Sequence, residues 1–321
     1  ITGGDFRLAG QPIDGVQGPG QSVTIADFLP FVAQLTGTLA DGSIFVLSQT
    51  SLSNVTLNCI ELPMFTPVID APVDPLPNGV RRGMTVNLGL GADTGPVFNG
   101  AGGAVNVHGG SIGDRAAFSE TTFRMTDGAC GEQLFFDHDS HVIIEGGTIS
   151  PGLRIYRSDV LISGGDIGYG SYFNVGTDVV ITGGVFRRNS ENTSQNNVNL
   201  RLGWNADVQI HGGQFPGDAN NPAATLLASV FSTIDFFGRS FAIDGVDVSD
   251  TLEVGEPYML IQRDVVLSGV LEDGQPFQFR IESSRASGAT ITLNLVPEPI
   301  TFAPMLLGLL AIARQRVRRC P

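Results

Sequence analysis

The stretch Val105-Asn-Val-His-Gly-Gly-Ser-Ile112 decides the fold, because the chain repeats its pattern. Four later stretches align with it without gaps and keep both glycines, namely Val142-Ile-Ile-Glu-Gly-Gly-Thr-Ile149, Val160-Leu-Ile-Ser-Gly-Gly-Asp-Ile167, Val179-Val-Ile-Thr-Gly-Gly-Val-Phe186 and Val208-Gln-Ile-His-Gly-Gly-Gln-Phe215. The first glycine of each pair falls at 109, 146, 164, 183 and 212, in steps of 37, 18, 19 and 29 residues. The longest step is two units with a degenerate one, Phe123 to Gly128, between them, and the step of 29 is one unit with a polar insertion at 187–197.

Each unit has the pattern of short β-strands joined by turns. Apolar and polar residues alternate, as in a strand with one buried face. A second apolar stretch precedes the later units, as in Leu134-Phe-Phe136 and Leu153-Arg-Ile-Tyr156. A period of about 18–20 residues with about three strands per turn predicts a right-handed parallel β-helix over residues 80–217. A β-sandwich or β-roll with the same strand pattern is the alternative.

Stacking the units predicts three inward rows of apolar side chains. The first valine of each unit forms one row, and the valine or isoleucine two residues later forms the second. The third row is Ile112, Ile149, Ile167, Phe186 and Phe215. The Gly-Gly pair is expected at a corner that requires a positive φ or a close approach of two backbones.

Two regions outside the repeat also resemble each other. The matching pairs are Leu35 to Phe45 with Leu267 to Phe277, Val55 to Asn58 with Ile291 to Asn294, and Ile13 to Val16 with Ile243 to Val246. We therefore predict an all-β chain in which two small β cap modules, 7–62 and 218–295, flank the helix, since the open end of a parallel stack is an exposed edge. Residues 1–6 are assigned to the end of a preceding coil, and the proline-rich residues 63–79 to a linker.

The C-terminal residues 296–321 have the composition of a sorting signal. Val296-Pro-Glu-Pro299 is followed by an apolar run of 14 residues, Ile300 to Ala313, which predicts a hydrophobic helix. Four arginines follow, at Arg314, Arg316, Arg318 and Arg319. A stable membrane span needs about 20 apolar residues, so a C-terminal helix docked on the domain is the alternative.

This tail resembles the PEP-CTERM sorting signal of Gram-negative envelope proteins, over about 25 residues. The resemblance implies export, recognition at Pro297, Glu298 and Pro299, and transient membrane insertion with the arginines on the cytoplasmic side. It also implies removal of the tail by an exosortase-type sorting protease, and association with exopolysaccharide, biofilm or the outer surface. Because a sorting tail needs an export signal and Ile1 opens in mid-repeat sequence, we expect an N-terminal segment to precede it.

Composition narrows the classes of partner. The chain carries 32 acidic and 18 basic residues, a net charge of −14, and its basic residues are all arginine. Phosphate binding needs clustered positive charge, so we expect no nucleic-acid partner. The acidic surface weakly favours Ca²⁺, although ordinary charge repulsion is the interpretation that we prefer. Once the tail is removed, Cys59 and Cys130 remain, and their pairing stays open.

The densest group of titratable residues comprises Asp137, His138, Asp139, His141 and Glu145. They are speculative ligands for a carbohydrate or a metal ion, because carboxylates and histidines suit acid–base work and cation binding. The interpretation that we favour is a polar turn at a coil corner. Asp159, Asp178 and Asp207 occupy the corresponding turn in other units.

The predicted fold resembles that of the pectate-lyase-like β-helix enzymes, whose chemistry does not transfer to this chain. The paired aspartates and Gly-His-Gly motif of the hydrolases are absent, and there is no lysine to act as a lyase base. Five arginines are candidates by position only, namely Arg154, Arg157, Arg187, Arg188 and Arg201. We therefore assign no catalytic residue and no cofactor, and an enzyme should instead place three or more charged residues in one lateral groove.

These observations favour an exported protein of the cell envelope, outer surface or extracellular matrix. We expect it to be a non-enzymatic structural or adhesive β-helix, with the sorting protease and possible exopolysaccharide as partners. The alternative is a polysaccharide lyase or hydrolase on the same scaffold.

Overall fold

The computed structural model describes residues 1–28, 34–47, 52–62, 64–188, 198–217, 223–286 and 288–297. This part of the chain is nearly all β, as predicted, with a 3₁₀ turn at Ser249–Thr251 and one helical turn, α1, at Ser283–Ala286. Within these ranges no helix is both long and apolar enough to cross a membrane. The hydrophobic helix expected at 300–313 lies outside the described residues.

The first strands form a separate mixed sheet, which we call the N-terminal module. They are β1 (Thr2–Leu8), β2 (Gln11–Pro12), β3 (Ser22–Phe28), β4 (Leu35–Leu39), β5 (Ile44–Leu47) and β6 (Leu52–Cys59). β1 pairs antiparallel with β4 and parallel with β6. The core of the module is small and contains Phe6, Leu35 and Leu57. Because β1 is one continuous strand, it crosses the boundary predicted between residues 1–6 and 7–62.

The repeat region is a stack of short parallel strands. They are β7 (Val68–Ala71), β8 (Val80–Arg81), β9 (Thr85–Leu88), β10 (Gly100–Ala101), β11 (Ala104–Ile112), β12 (Ala117–Ser119), β13 (Thr122–Cys130), β14 (Phe135–Asp137), β15 (His141–Ile144), β16 (Thr148–Ile149), β17 (Arg154–Tyr156), β18 (Asp159–Ile162), β19 (Asp166–Ile167), β20 (Tyr172–Asn174), β21 (Asp178–Phe186), β22 (Leu200–Leu202), β23 (Asp207–Gln214) and β24 (Ala224–Ala228). Each strand pairs in parallel with its equivalent in the next unit. Ladder one follows β7–β9–β11–β13–β15–β18–β21–β23, and ladder two follows β8–β10–β12–β14–β17–β20–β22–β24.

The registers confirm the predicted inward rows. The first row is Val105, Phe123, Val142, Val160, Val179 and Val208, paired one to the next and all buried. The second is Val107, Met125, Ile144, Ile162, Ile181 and Ile210, also paired and buried. Phe123 and Met125 come from the degenerate unit, which therefore contributes a full turn of the stack. Apolar burial of about 1.5–3 kcal/mol per large side chain is the main force that holds such rows together.

Aromatic rings fill the other side of the core. Phe118 stacks on Phe136 with ring centroids 5.4 Å apart, and Phe123 meets Phe136 edge-on at 4.9 Å. Cys130 lies in the third row between Ile112 and Ile149, and burial raises the pKa of its thiol to about 12. Cys59 and Cys130 are both free thiols, so they do not pair with each other.

The two glycines of each later pair are required for different reasons. A Cβ on Gly164 would lie 2.1 Å from the carbonyl oxygen of Glu145 in the preceding unit, so no larger residue fits between the backbones. Gly165 instead takes a φ of +87°, in the left-handed region that favours glycine. The pair therefore allows the units to stack at the strand spacing of about 4.8 Å.

The last strands both extend the stack and close it, and we call residues 233–295 the C-terminal module. The strands are β25 (Thr233–Ile243), β26 (Val246–Asp247), β27 (Tyr258–Met259), β28 (Val265–Leu271), β29 (Pro276–Ile281) and β30 (Thr290–Leu295). β25 and then β30 continue ladder one in parallel, and β29 continues ladder two. The turn between β28 and β29 also contacts the last Gly-Gly corner, because the Oδ2 atom of Asp273 accepts a hydrogen bond from the backbone N–H of Gly213 at 2.9 Å.

The two modules share one pairing scheme, which supports the predicted duplication. Leu35 of β4 pairs with Leu47 of β5, and Leu267 of β28 pairs with Phe279 of β29. Each residue of the second pair lies 232 positions after its counterpart in the first pair. The match of Ile13 to Ile243 is wrong. Ile243 pairs with Val246 as Leu8 pairs with Gln11.

Ile13 to Val16 and Ile243 to Val246 match only because both contain the same short turn sequence, Asp-Gly. Ala9 and Gly10 have φ values of +49° and +76°, and Asp244 and Gly245 have +50° and +79°. Two successive positive φ values are typical of the tight turn of a hairpin, and glycine and small polar residues recur there whatever the module. The turn geometry, not the four-letter match, identifies the equivalent strands.

The N-terminal module lies against the side of the stack and differs here from the predicted cap. The amide of Asn99 donates to the carbonyl oxygen of Ile44 at 3.2 Å, and the amide of Gln34 donates to Asp137 at 3.4 Å. Within the described ranges its sheet shares no strand pairing with either ladder. This lateral contact is made by polar residues at the corners of the stack. The sequence pattern identifies such residues only as turn residues and does not show what they contact.

The parallel stack extends beyond the predicted range of 80–217. Val68–Ala71 pairs in register with Thr85–Leu88 although it lies within the residues assigned to the linker. Ala224–Ala228 is a further rung within the residues assigned to the second cap. Neither strand carries the Gly-Gly pair by which the repeat units are recognised in the sequence, so the predicted range did not include them.

A ladder of aspartates on the outer surface predicts a stabilising substitution. Asp159, Asp178 and Asp207 pair in register, and the pKa of Asp178 is raised by its partial burial and by repulsion from Asp207 and Asp159. Because the pKa of this carboxyl is higher in the folded than in the unfolded state, the ionised carboxylate lowers the stability of the fold. This loss develops as the pH rises through the two pKa values and is complete above the folded-state pKa. We therefore expect Asp178→Asn to raise the midpoint of urea unfolding at pH 7. The gain should vanish at about pH 3, where the carboxyl is protonated in both states, and a gain of equal size at both pH values would contradict this cause.

Candidate functional site

The predicted titratable cluster does not form one open site. Asp137 and His138 are buried, whereas Asp139, His141 and Glu145 are exposed. Within the described residues no group of three or more carboxylate, histidine or cysteine side chains is placed to hold a metal ion. The structure therefore separates these five residues into a buried pair and three surface positions.

The buried Asp137 is committed to a structural ion pair. The guanidinium of Arg157 donates to it through Nε at 3.0 Å and through Nη2 at 2.8 Å. The backbone N–H of His138 also donates to Asp137, at 2.8 Å. With the carboxylate side chain only 2% exposed, this aspartate holds a coil corner against the N-terminal module and has no opening to a substrate.

The three exposed members of the cluster have separate places. His141 pairs with Asp159 in the register of ladder one. Glu145 accepts two hydrogen bonds from Arg124, at 2.7 and 3.1 Å, and these bonds hold the pKa of its carboxyl below the usual value. Asp139 adopts a positive φ at the corner, where its N–H donates to the carbonyl oxygen of Arg157. This arrangement is that of a polar turn at a coil corner.

Most of the predicted sorting residues lie outside the described residues. Pro297 is exposed at the end of the last described segment. The others are Glu298, Pro299, Arg314, Arg316, Arg318 and Arg319, for which the structure gives no account.

The structure presents a different candidate site on the outward face of ladder two. A groove of about 410 Å³ is lined by Tyr156, Tyr169, Tyr172, Arg154, Arg201 and Glu132. The outward residues of β17, β20 and β22 alternate with the buried Ile155, Phe173 and Leu202, so strand geometry alone aims them into the groove. Three consecutive units of the stack thus build one site.

Ring contacts order the side chains of this groove. Tyr156 meets Tyr172 edge-on with centroids 5.9 Å apart, and the guanidinium of Arg201 lies 4.6 Å above the ring of Tyr172. Burial is the main reason why the pKa of Tyr172 is raised, with a further contribution from Tyr156. The phenol of Tyr172 is therefore protonated over the neutral range, and its hydroxyl is able to donate a hydrogen bond.

An exposed tryptophan lies beside the groove. The backbone N–H of Trp204 donates to the side-chain oxygen of Asn174 at 3.1 Å, and Asn174 is the register partner of Tyr156. Trp204 is 60% exposed, and its ring meets Phe231 edge-on with centroids 6.2 Å apart. Since it is the chain's single tryptophan, its fluorescence reports on this part of the surface.

Sequence reasoning named Arg154 and Arg201 by position but missed the site. Its signal was available in Leu153-Arg-Ile-Tyr156, Tyr172-Phe-Asn-Val175 and Val198-Asn-Leu-Arg-Leu202, where polar or aromatic residues alternate with core residues. Placing these strands side by side requires the register, because the insertion at 187–197 hides the third strand's position in the repeat.

Comparisons with known proteins give no identity. The chain matches no protein-family model, and searches of curated proteins and of solved structures also found no match.

Proposed function

We propose that this chain is an exported, non-enzymatic adhesive protein of the cell surface or extracellular matrix. The observation that carries the proposal is the groove of tyrosines and arginines on the side of a parallel strand stack. Exposed aromatic rings and guanidinium groups grip polar polymers through stacking and charge-assisted hydrogen bonds. A stack of units at a constant strand spacing presents outward side chains at regular intervals, which suits a long, repetitive ligand such as an exopolysaccharide.

The stack itself fits a right-handed parallel β-helix. Parallel pairing between successive units and the inward rows support this assignment. Crossover connections between parallel strands are right-handed in about 98% of cases, which supports the handedness.

A polysaccharide lyase is the second candidate, because the groove combines arginines, tyrosines and Glu132. A lyase needs a base that is ionised at the working pH. The raised pKa of Tyr172 opposes that role. Binding needs no such base, so we place it before catalysis.

The C-terminal tail supplies the proposed route to the surface. An exosortase-type protease would recognise Pro297, Glu298 and Pro299 after export and remove the arginine-rich end. The transient insertion of the apolar run would present the cleavage site at the membrane.

Intact-mass analysis of the native protein in fractions of its own cells tests this proposal. We expect a mature C-terminus near Pro297 to Pro299 in the surface or medium fraction. A variant with Glu298→Ala should retain the full tail and stay in the membrane fraction. A native protein that keeps Arg319 and remains in the inner membrane would show that the tail is a plain anchor, and the sorting proposal would fail.

A further inference from the structure

We propose that the N-terminal module is a displaceable cover of ladder two, which undocks from the stack as an intact body and exposes the face beneath it. The inference goes beyond the proposed adhesive function and does not depend on what the groove binds. It is carried by the contact between the module and the stack, which we call the seam. Gln34 and Thr36 lie on the module side of the seam, and Ser119 and Asp137 lie on its stack side.

The seam is lined by polar side chains on both sides. Gln34 and Thr36 flank Leu35, a core residue of the module, so strand alternation turns them away from that core. Ser119 and Asp137 are register partners in ladder two, where β12 contacts β5 of the module. All four polar residues are no more than 1% exposed. Polar contacts of this kind are typical of interfaces between domains that move relative to each other.

The seam leaves buried oxygen atoms without a hydrogen-bond partner. They are Oε1 of Gln34, Oγ1 of Thr36 and Oγ of Ser119. The hydrogen bond from the Gln34 amide to Asp137 is 3.4 Å long, whereas N–H···O bonds are usually about 2.9–3.0 Å. A buried polar group without a partner costs free energy, which exposure to water recovers. Undocking returns these three groups to water, so the seam opposes its own closure.

The N-terminal module has its own core and its own sheet. Its core around Phe6 and Leu57 is separate from the core of the stack. Within the described ranges its strands pair with neither ladder, whereas β25 and β29 of the C-terminal module pair with β23 and β24. Backbone hydrogen bonds therefore fix the C-terminal module to the stack. The N-terminal module is held by side-chain contacts and can separate without breaking a ladder.

The module covers the part of ladder two that leads into the groove. At one end of the seam, Asn99 donates to the carbonyl oxygen of Ile44 just before β10. At the other end lies Asp137, the last residue of β14. In the same strand, Phe135 contacts Tyr156 of the groove with ring centroids 5.2 Å apart. Undocking would extend the exposed face of ladder two over β10, β12 and β14, by about 10–15 Å.

Thiol labelling of a Ser119→Cys variant of the full chain tests the inference. Cysteine is close to serine in size, and the Ser119 hydroxyl has no partner to lose. Two native thiols are the references, because Cys59 lies in the core of the module and Cys130 in the core of the stack. Iodoacetamide labelling is followed by mass spectrometry of the peptide that carries each cysteine. Each rate is divided by that of the same thiol in the denatured chain, which removes differences in intrinsic reactivity.

We expect the introduced thiol to label at least about tenfold faster than Cys59 and Cys130, because undocking exposes it while both cores stay folded. Gln34→Ala should raise this rate about fivefold further, since the module then loses its bond to Asp137. Thr24→Ala is the matched control. It removes a hydrogen bond to Thr56 on the exposed surface of the module, at the edge of its sheet opposite β5, and should leave the rate unchanged.

Thr36→Cys repeats the measurement from the module side of the seam, and it replaces Ser119→Cys if circular dichroism shows that variant misfolded. An introduced thiol that labels no faster than Cys130 would show that the module does not undock. One that labels at the rate of Cys59 would show that the module unfolds instead of undocking. An unchanged rate in Gln34→Ala, or a raised rate in Thr24→Ala, would place the opening outside the seam and would also overturn the inference.

Discussion

Arg157→Ala is expected to lower the free energy of unfolding by about 3–5 kcal/mol, because it leaves a buried carboxylate without its partner. Asp137 receives three donor contacts from this guanidinium, and its own side chain is 2% exposed. Chemical denaturation followed by circular dichroism measures the loss.

Two further variants separate charge from packing in this prediction. Asp137→Asn combined with Arg157→Ala should recover part of the loss, since no unpaired charge then remains. Arg187→Ala removes an exposed ion pair with Asp166, whose side chains are 56% and 37% exposed, and should cost no more than about 1 kcal/mol. Equal losses for Arg157→Ala and Arg187→Ala would show that the corner is not buried as described.

Gly164→Ala is the second large effect, and we expect it to cost about 3 kcal/mol, the upper end for overpacking. The new Cβ would lie 2.1 Å from the oxygen of Glu145 and 2.8 Å from its carbonyl carbon. Both atoms belong to a backbone held in parallel ladders on each side, so they cannot move without separating two units. Denaturation midpoints of the purified variants provide the comparison.

Gly170→Ala is the matched control for this glycine. Unlike Gly164, Gly170 has a positive φ, +75°, and a Cβ there meets nothing within 4 Å. The left-handed conformation alone costs about 1–2 kcal/mol for a residue with a Cβ. If Gly170→Ala were as damaging as Gly164→Ala, the close contact between units at Gly164 would cost no more than a strained turn, and the large effect predicted for it would be wrong.

The core of the fold was predictable because it repeats. An inward valine or isoleucine at a fixed place in each unit specifies both the strand and its register, and the paired rows through Val142, Val160 and Val179 agree with that prediction. The degenerate unit around Phe123 was located by the length of the gap alone, and it pairs as expected.

The candidate groove was not predictable, because it depends on residues that do not repeat. The residue type changes from each unit to the next, from Arg154 to Tyr172 to Arg201, and only the register brings these residues onto one line. The burial of Asp137 was hidden for a related reason: its partners Gln34 and Arg157 lie 103 and 20 residues away, and one of them belongs to the N-terminal module. Local composition marks such a residue as polar but does not show what covers it.

The most direct test of the account is prolonged incubation of the full chain with the exopolysaccharide of its own cells, the ligand class proposed above, with and without Ca²⁺. Size-exclusion chromatography then reports both the position of the protein and the length of the polymer. We predict that the protein elutes with the polymer and that the polymer keeps its length under both conditions. Shortening of the polymer by the wild type, lost in a Tyr172→Phe variant, would contradict a non-enzymatic role and identify the groove as the active site of a lyase or hydrolase.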